Sequence, residues 1–136
     1  MTDGSAASTT AGRRQYQPLW TASAVAALLA FAVAALIPNP PTPPVLTWDK
    51  AQHALVFLVL AFWCAQVWDR APRRWLVTAL LAYGFGIECL QGLTATRMFE
   101  LMDFAADALG VVPGVWLAGA CHGKVVDAMD AFLSRS

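Results

Sequence analysis

Three short groups of residues in this chain carry the side chains able to do chemistry. "WDKAQH" holds Asp49, Lys50 and His53, "ECLQ" holds Glu88 and Gln91, and "RMFELMDFAAD" holds Arg97, Asp103 and Asp107. Asp49 and His53 stand four residues apart, Glu88 and Gln91 three, Asp103 and Asp107 four, so on helices each pair shares one face. An imidazole beside carboxylates is the composition of a general acid–base site, which makes His53, Glu88 and Asp107 the candidate catalytic residues. Asp49, Lys50, Gln91, Arg97 and Asp103 are the candidate ligand-binding residues: the cations hold phosphate or carboxylate oxygens, Arg97 in a two-pronged way.

Groups so far apart in sequence meet only if long elements carry them, and the remaining composition shows which. Of the 136 residues 58% are hydrophobic and 13% charged, with a mean hydropathy of +0.53. A soluble domain carries roughly 25% charged residues, and a chain this short could not hide so much apolar surface from water. Four apolar stretches remain once the polar ends are removed: Leu19 to Ile37, Ala51 to Trp68, Trp75 to Leu93 and Leu101 to Ala120. At about 1.5 Å per residue each crosses a hydrocarbon layer of roughly 30 Å. The expected fold is an all-α, four-helix transmembrane bundle. The first stretch is read as a retained anchor, because Pro-rich "PNPPTPP" follows it where a signal peptide would have its small-residue cleavage site.

The basic residues set the expected orientation. Arg13, Arg14, Arg70, Arg73, Arg74, Lys124 and Arg135 lie on one side of the spans, and only Lys50 and Arg97 on the other. That bias puts both termini in the cytoplasm. Trp20, Trp68 and Trp75 then mark the inner interface, and all eight candidate residues lie at the outer end. Residues 1–17 are expected to be a disordered cytoplasmic tail, 18–121 the membrane domain and 122–136 a short cytoplasmic tail, with an extended Pro-rich loop over Pro38 to Pro44.

Small residues recur at helical spacing, Ala22, Ala26, Ala30 and Ala34 on the first span and Ala106, Gly110 and Gly114 on the fourth. Both stripes are read as contacts within one bundle rather than as a dimer seam. Pro113 is expected to kink the fourth span. Cys64, Cys89 and Cys121 show no metal-type spacing and are read as small core residues without a disulfide.

Glu88 and Asp107 fall about 7 to 10 Å below the outer interface at 1.5 Å per residue. A charge at that depth costs on the order of 2 to 3 kcal/mol, so both should face the bundle and find partners. Asp49 and Asp103 equally suit helix N-termini, where the dipole favours an anion. Four acids against Lys50 and Arg97 cannot all stay ionised in a partly dry pocket. The imbalance must be met by a proton, by His53 as imidazolium or by a bound cation.

The three groups, in this order and spacing, resemble the VanZ-like family, small bacterial membrane proteins linked to teicoplanin resistance. The resemblance runs from about Asp49 to Gly114 and implies a multi-span plasma-membrane protein of the cell envelope, but no settled reaction. The family commonly has Asn at the position of Asp107, where this chain has an acid.

The expected function is an outer-facing polar pocket that binds, and if His53 acts as acid or base modifies, a charged amphiphile. A lipid headgroup, a lipid-linked wall precursor and a lipoglycopeptide antibiotic all fit. No Ser or Cys nucleophile accompanies the group, since Thr94 and Thr96 are the nearby hydroxyls. No cofactor is expected, nothing points to nucleic acid, and the partner is membrane lipid or a lipid-linked precursor. A structural or partner-binding bundle is the alternative. Proton or ion conduction ranks lower because the inner halves of the spans hold no charged residue. A metal is disfavoured because one histidine gives no ligand spacing and Lys50 and Arg97 would repel a cation.

Overall fold

The computed structural model describes residues 14–37, 49–94 and 101–135, and everything in it is helical or in turns between helices. The order is α1 (Gln17–Leu36), α2 (Asp49–Val67), α3 (Arg73–Gly92), α4 (Leu101–Cys121) and α5 (Lys124–Leu133). The first four are long and apolar enough to cross a membrane. Their outward faces carry Leu29, Val33, Val59, Leu109 and Trp116, all more than half exposed. In water such a surface would aggregate; in lipid it is the favourable one.

Successive spans alternate in direction, so the bundle has two distinct ends. One holds the C-terminal ends of α1 and α3 with the N-terminal ends of α2 and α4; the other holds Arg14, the α2–α3 turn and α5. α2 and α4 are the most intimately packed pair. A Cβ at Gly110 would strike the Ala54 carbonyl oxygen and lie 2.8 Å from the Leu58 amide nitrogen, and one at Gly114 would lie 2.5 Å from the Leu58 carbonyl oxygen. The α4 small-residue stripe is therefore an intramolecular seam. α4 runs unbroken through Pro113.

The stripe on α1 behaves differently from the expectation. Ala22, Ala26, Ala30 and Ala34 are exposed, and α1 packs through Trp20, Ala24 and Ala35, with Leu28 and Phe31 partly buried beside them. Aromatic packing decides this. Phe31 meets Phe57 edge to face with centroids 5.2 Å apart, and Trp20 meets Trp63 at 6.3 Å; such pairs contribute beyond their buried area. Cys64 is a core residue, but Cys89 is exposed and Cys121 only half-buried. They belong to other helices, Cys89 to the last turns of α3 and Cys121 to the end of α4.

The terminal end is tied by polar contacts that run from exposed to buried. The Arg14 guanidinium reaches Asp127 at 2.6 Å, Asp69 at 3.0 Å and the carbonyls of Gln66 and Val67 at 3.2 and 3.1 Å. Asp130 accepts from the Gln15 and Tyr16 amides, each at 2.9 Å, and from the Trp20 indole at 2.8 Å. Burial raises the affinity of Asp130 for a proton, but these three donors and Arg14 outweigh it and hold the carboxyl below its ordinary range. The stretch after Cys121, read from sequence as a tail, thus contains a helix docked on the bundle. The chain turns into it through two left-handed residues, His122 (φ 48°) and Gly123 (φ 73°). Glycine suits the second doubly, because a Cβ there would also strike the Arg14 guanidinium.

Candidate functional site

At the opposite end three helices bring their ionisable residues together. His53 lies in the second turn of α2, Asp107 in the second turn of α4 and Glu88 in the last turns of α3. None is more than 7% exposed. His53 Nδ1 lies 2.9 Å from Asp107 Oδ1, where an ionised Asp107 accepts from Nδ1–H, and Glu88 Oε1 stands 4.0 Å from the same nitrogen. With Nδ1 carrying the proton, the neutral ring presents its lone pair at Nε2. Asp107 therefore fixes both the tautomer and the orientation of the imidazole. Phe31 of α1 closes the fourth side, edge to face with the ring at 6.5 Å.

Glycine makes room for this cluster. A Cβ at Gly84, one turn before Glu88 on α3, would lie 2.8 Å from Asp107 Oδ2 and 3.1 Å from the Phe57 ring. The sequence reading missed Gly84, although a glycine four residues before a buried acid, in "YGFGIE", is a visible signal.

The ligand-binding candidates are placed less uniformly. Lys50 and Asp103 form an ion pair, Nζ to Oδ1 at 3.1 Å, with Asp103 buried and the lysine side chain 47% exposed. This pair sits one turn nearer the helix ends than His53 and Asp107. Gln91 is buried but turns toward α1, donating to the Ala35 carbonyl at 3.0 Å, and so it serves to dock α1 on α3. Asp49 begins α2; its side chain, like all of Arg97, lies outside the described residues. Thr94 donates its hydroxyl to the Gln91 carbonyl at 2.7 Å, which finishes α3. Thr96 lies outside the described residues.

The cluster combines a general-base geometry with two carboxylates in a site walled by apolar side chains. Beyond it, toward the terminal end, the core continues with Phe57, Ala61, Cys64, Val111 and Val115. Tyr83 packs beside Phe31 and Phe57 and donates its hydroxyl to the Leu28 carbonyl at 2.6 Å, and farther on Gln66 bonds the Ala118 carbonyl and the Val125 amide at 3.1 and 3.3 Å. A cleft of about 940 Å³ opens at the terminal end beside Arg14, Asp69, Arg70, Trp75 and Asp127. Both of its acids are ion-paired with Arg14, whereas the cluster at the other end joins an imidazole to two buried carboxylates.

A family model described as VanZ/LLP1 matches residues 4–122, most of the chain and all four spans. No curated protein and no solved structure matches it.

Proposed function

The chain belongs to the VanZ/LLP1 family of membrane proteins, and from that membership together with the buried cluster we propose that it binds a charged amphiphile at the outer leaflet of the bacterial plasma membrane. The observation that carries this reading is the convergence of His53, Glu88 and Asp107 within the bundle, 2.9 and 4.0 Å apart, just beneath the Lys50–Asp103 pair. Packing alone would be served at lower cost by apolar residues. Lys50 stands nearer the helix ends, where its ammonium can exchange Asp103 for phosphate or carboxylate oxygens, and Arg97 in the adjoining segment supplies the second cation. The apolar helix faces take the acyl tail. Lipid headgroups, lipid-linked wall precursors and lipoglycopeptides such as teicoplanin share this chemistry. If the bound molecule is also modified, His53 is the general acid or base and Asp107 its orienting partner. The seven-to-two distribution of basic residues supports the outer location.

Mass spectrometry of the lipids that co-purify with gently extracted protein tests the proposal. Wild type should retain a defined anionic or zwitterionic amphiphile, Arg97→Ala should lose most of it, and Glu88→Gln should lose it while extracting in normal amount. Equal retention by all three proteins would overturn the proposal.

A further inference from the structure

We propose that His53, Glu88 and Asp107 form a site for a divalent first-row transition-metal ion. This goes beyond the reading above, since ion retention does not depend on any amphiphile.

The three residues come from three different helices, each offers one donor atom, and those atoms lie within 4.8 Å of one another. An ion with bonds of about 2.0 to 2.2 Å holds adjacent donors about 2.8 to 3.8 Å apart, for angles between square and trigonal. The observed separation of His53 Nδ1 from Asp107 Oδ1, 2.9 Å, lies in that range, and that from Glu88 Oε1, 4.0 Å, lies just beyond it. Small side-chain rotations suffice to centre an ion among them. Gly84 contributes independently: its missing Cβ leaves the space that the second oxygen of Asp107 occupies, so the carboxylate can turn toward either neighbour.

Charge favours a cation as well. Two carboxylates and one imidazole, none more than 7% exposed, lie together in a bundle built for lipid. A divalent ion offsets both acids. Of the two cations expected to repel a metal ion, Lys50 is matched by Asp103 at 3.1 Å, and Arg97 lies outside the described residues. The donor set selects the ion. One nitrogen with two carboxylate oxygens suits Zn²⁺, Co²⁺, Fe²⁺ or Mn²⁺, whereas Ca²⁺ and Mg²⁺ take oxygen shells. Three protein donors leave at least one coordination position for water or for an oxygen of an anionic ligand. On loading, Nδ1 gives up to solvent the proton it donates to Asp107 and its lone pair binds the ion, so His53 serves as ligand rather than base.

The test uses tag-free protein in detergent, stripped with chelator, incubated with Co²⁺ or Zn²⁺ and freed of excess by gel filtration. Wild type should keep about one ion per chain and, with Co²⁺, show visible absorption bands that Zn²⁺ abolishes. Glu88→Gln and Asp107→Asn, which keep side-chain shape, should fall to background while eluting as wild type does. His122→Ala, which removes the only other histidine, should retain the ion. Wild-type protein without retained ion, equal retention by the carboxylate variants, or loss in His122→Ala would each overturn the site. Should either carboxylate variant misfold, the wild-type Co²⁺ bands and their displacement by Zn²⁺ still decide. Lipid retention, measured on the same stripped and loaded samples, separates this result from the fate of the amphiphile reading.

Discussion

Replacing Gly110 by alanine should break the site without touching a single ionisable residue. The added Cβ would strike the Ala54 carbonyl oxygen and come within 2.8 Å of the Leu58 amide nitrogen and 2.9 Å of Phe57 Cβ. Ordinary contacts lie at about 3.5 to 4.0 Å, so the Leu58 and Phe57 contacts alone require α2 and α4 to part by about 0.7 to 1.1 Å, and the Ala54 carbonyl oxygen sets this as a minimum. His53 is the residue before Ala54 and Asp107 lies one turn before Gly110, so both move with the seam. The 2.9 Å bond between them then lengthens to about 3.6 to 4.0 Å, beyond the range of a hydrogen bond. Overpacking of this kind costs about 1 to 3 kcal/mol. Gly86 supplies the control, because a Cβ there meets nothing within 4 Å; Gly86→Ala should be neutral or stabilising by up to about 1 kcal/mol through helix propensity. Unfolding of both variants in mixed detergent, followed by tryptophan fluorescence and circular dichroism, gives the stabilities, and the lipid and metal measurements give the state of the site. A Gly110→Ala protein with wild-type stability and an intact site would refute the close α2–α4 seam and the placement of His53 against Asp107.

Topology is open to direct labelling. In a background without Cys89 and Cys121, cysteines at Thr42 and Thr96 should react with an impermeant thiol reagent on intact cells, and those at Ala71 and Ser134 should not; the reverse pattern would move the site to the cytoplasmic side. Asp130 predicts an acid limb in stability. Its folded carboxyl lies below its unfolded value, so its contribution is complete above the unfolded pKa, about 4, and is lost as pH falls through the folded one. Asp130→Asn should therefore be less stable than wild type at pH 7 and show a shallower loss of melting temperature on acidification from pH 5 to pH 3. Identical acid limbs in the two proteins would show that the Gln15, Tyr16 and Trp20 donors do not favour the charged form.

The sequence by itself determined the fold class and which ionisable residues, His53, Glu88 and Asp107, would meet inside the bundle. Four uninterrupted apolar runs of spanning length admit one solution in lipid, where backbone groups must be satisfied within each segment. Buried charge is so costly there that Glu88 and Asp107 could be assigned inward from their depth alone, and helical spacing put His53 on a face able to reach them. What one chain's pattern could not decide is which face of each helix meets which neighbour. Within lipid, apolar side chains are equally content facing tails or partners, so hydrophobicity loses the directional information it carries in water. Ala22, Ala26, Ala30 and Ala34 therefore read as a seam, yet face outward, while Phe31 and Trp20 dock α1.

The same ambiguity hid the partners of the polar residues. Gln91 shares a helix face with Glu88, but the crossing of α1 gives it the Ala35 carbonyl instead of the cluster. Lys50 shares its turn with Asp49 and His53, but α4 supplies Asp103. The terminal end shows the limit most plainly. Arg14, Asp69 and Asp127 look like separate surface charges along the chain, and only the antiparallel return of α2 and the left-handed turn at His122 and Gly123 bring them within bonding distance. Such contacts span 55 and 113 residues of sequence, and their energy depends on distances that spacing along a single helix does not encode.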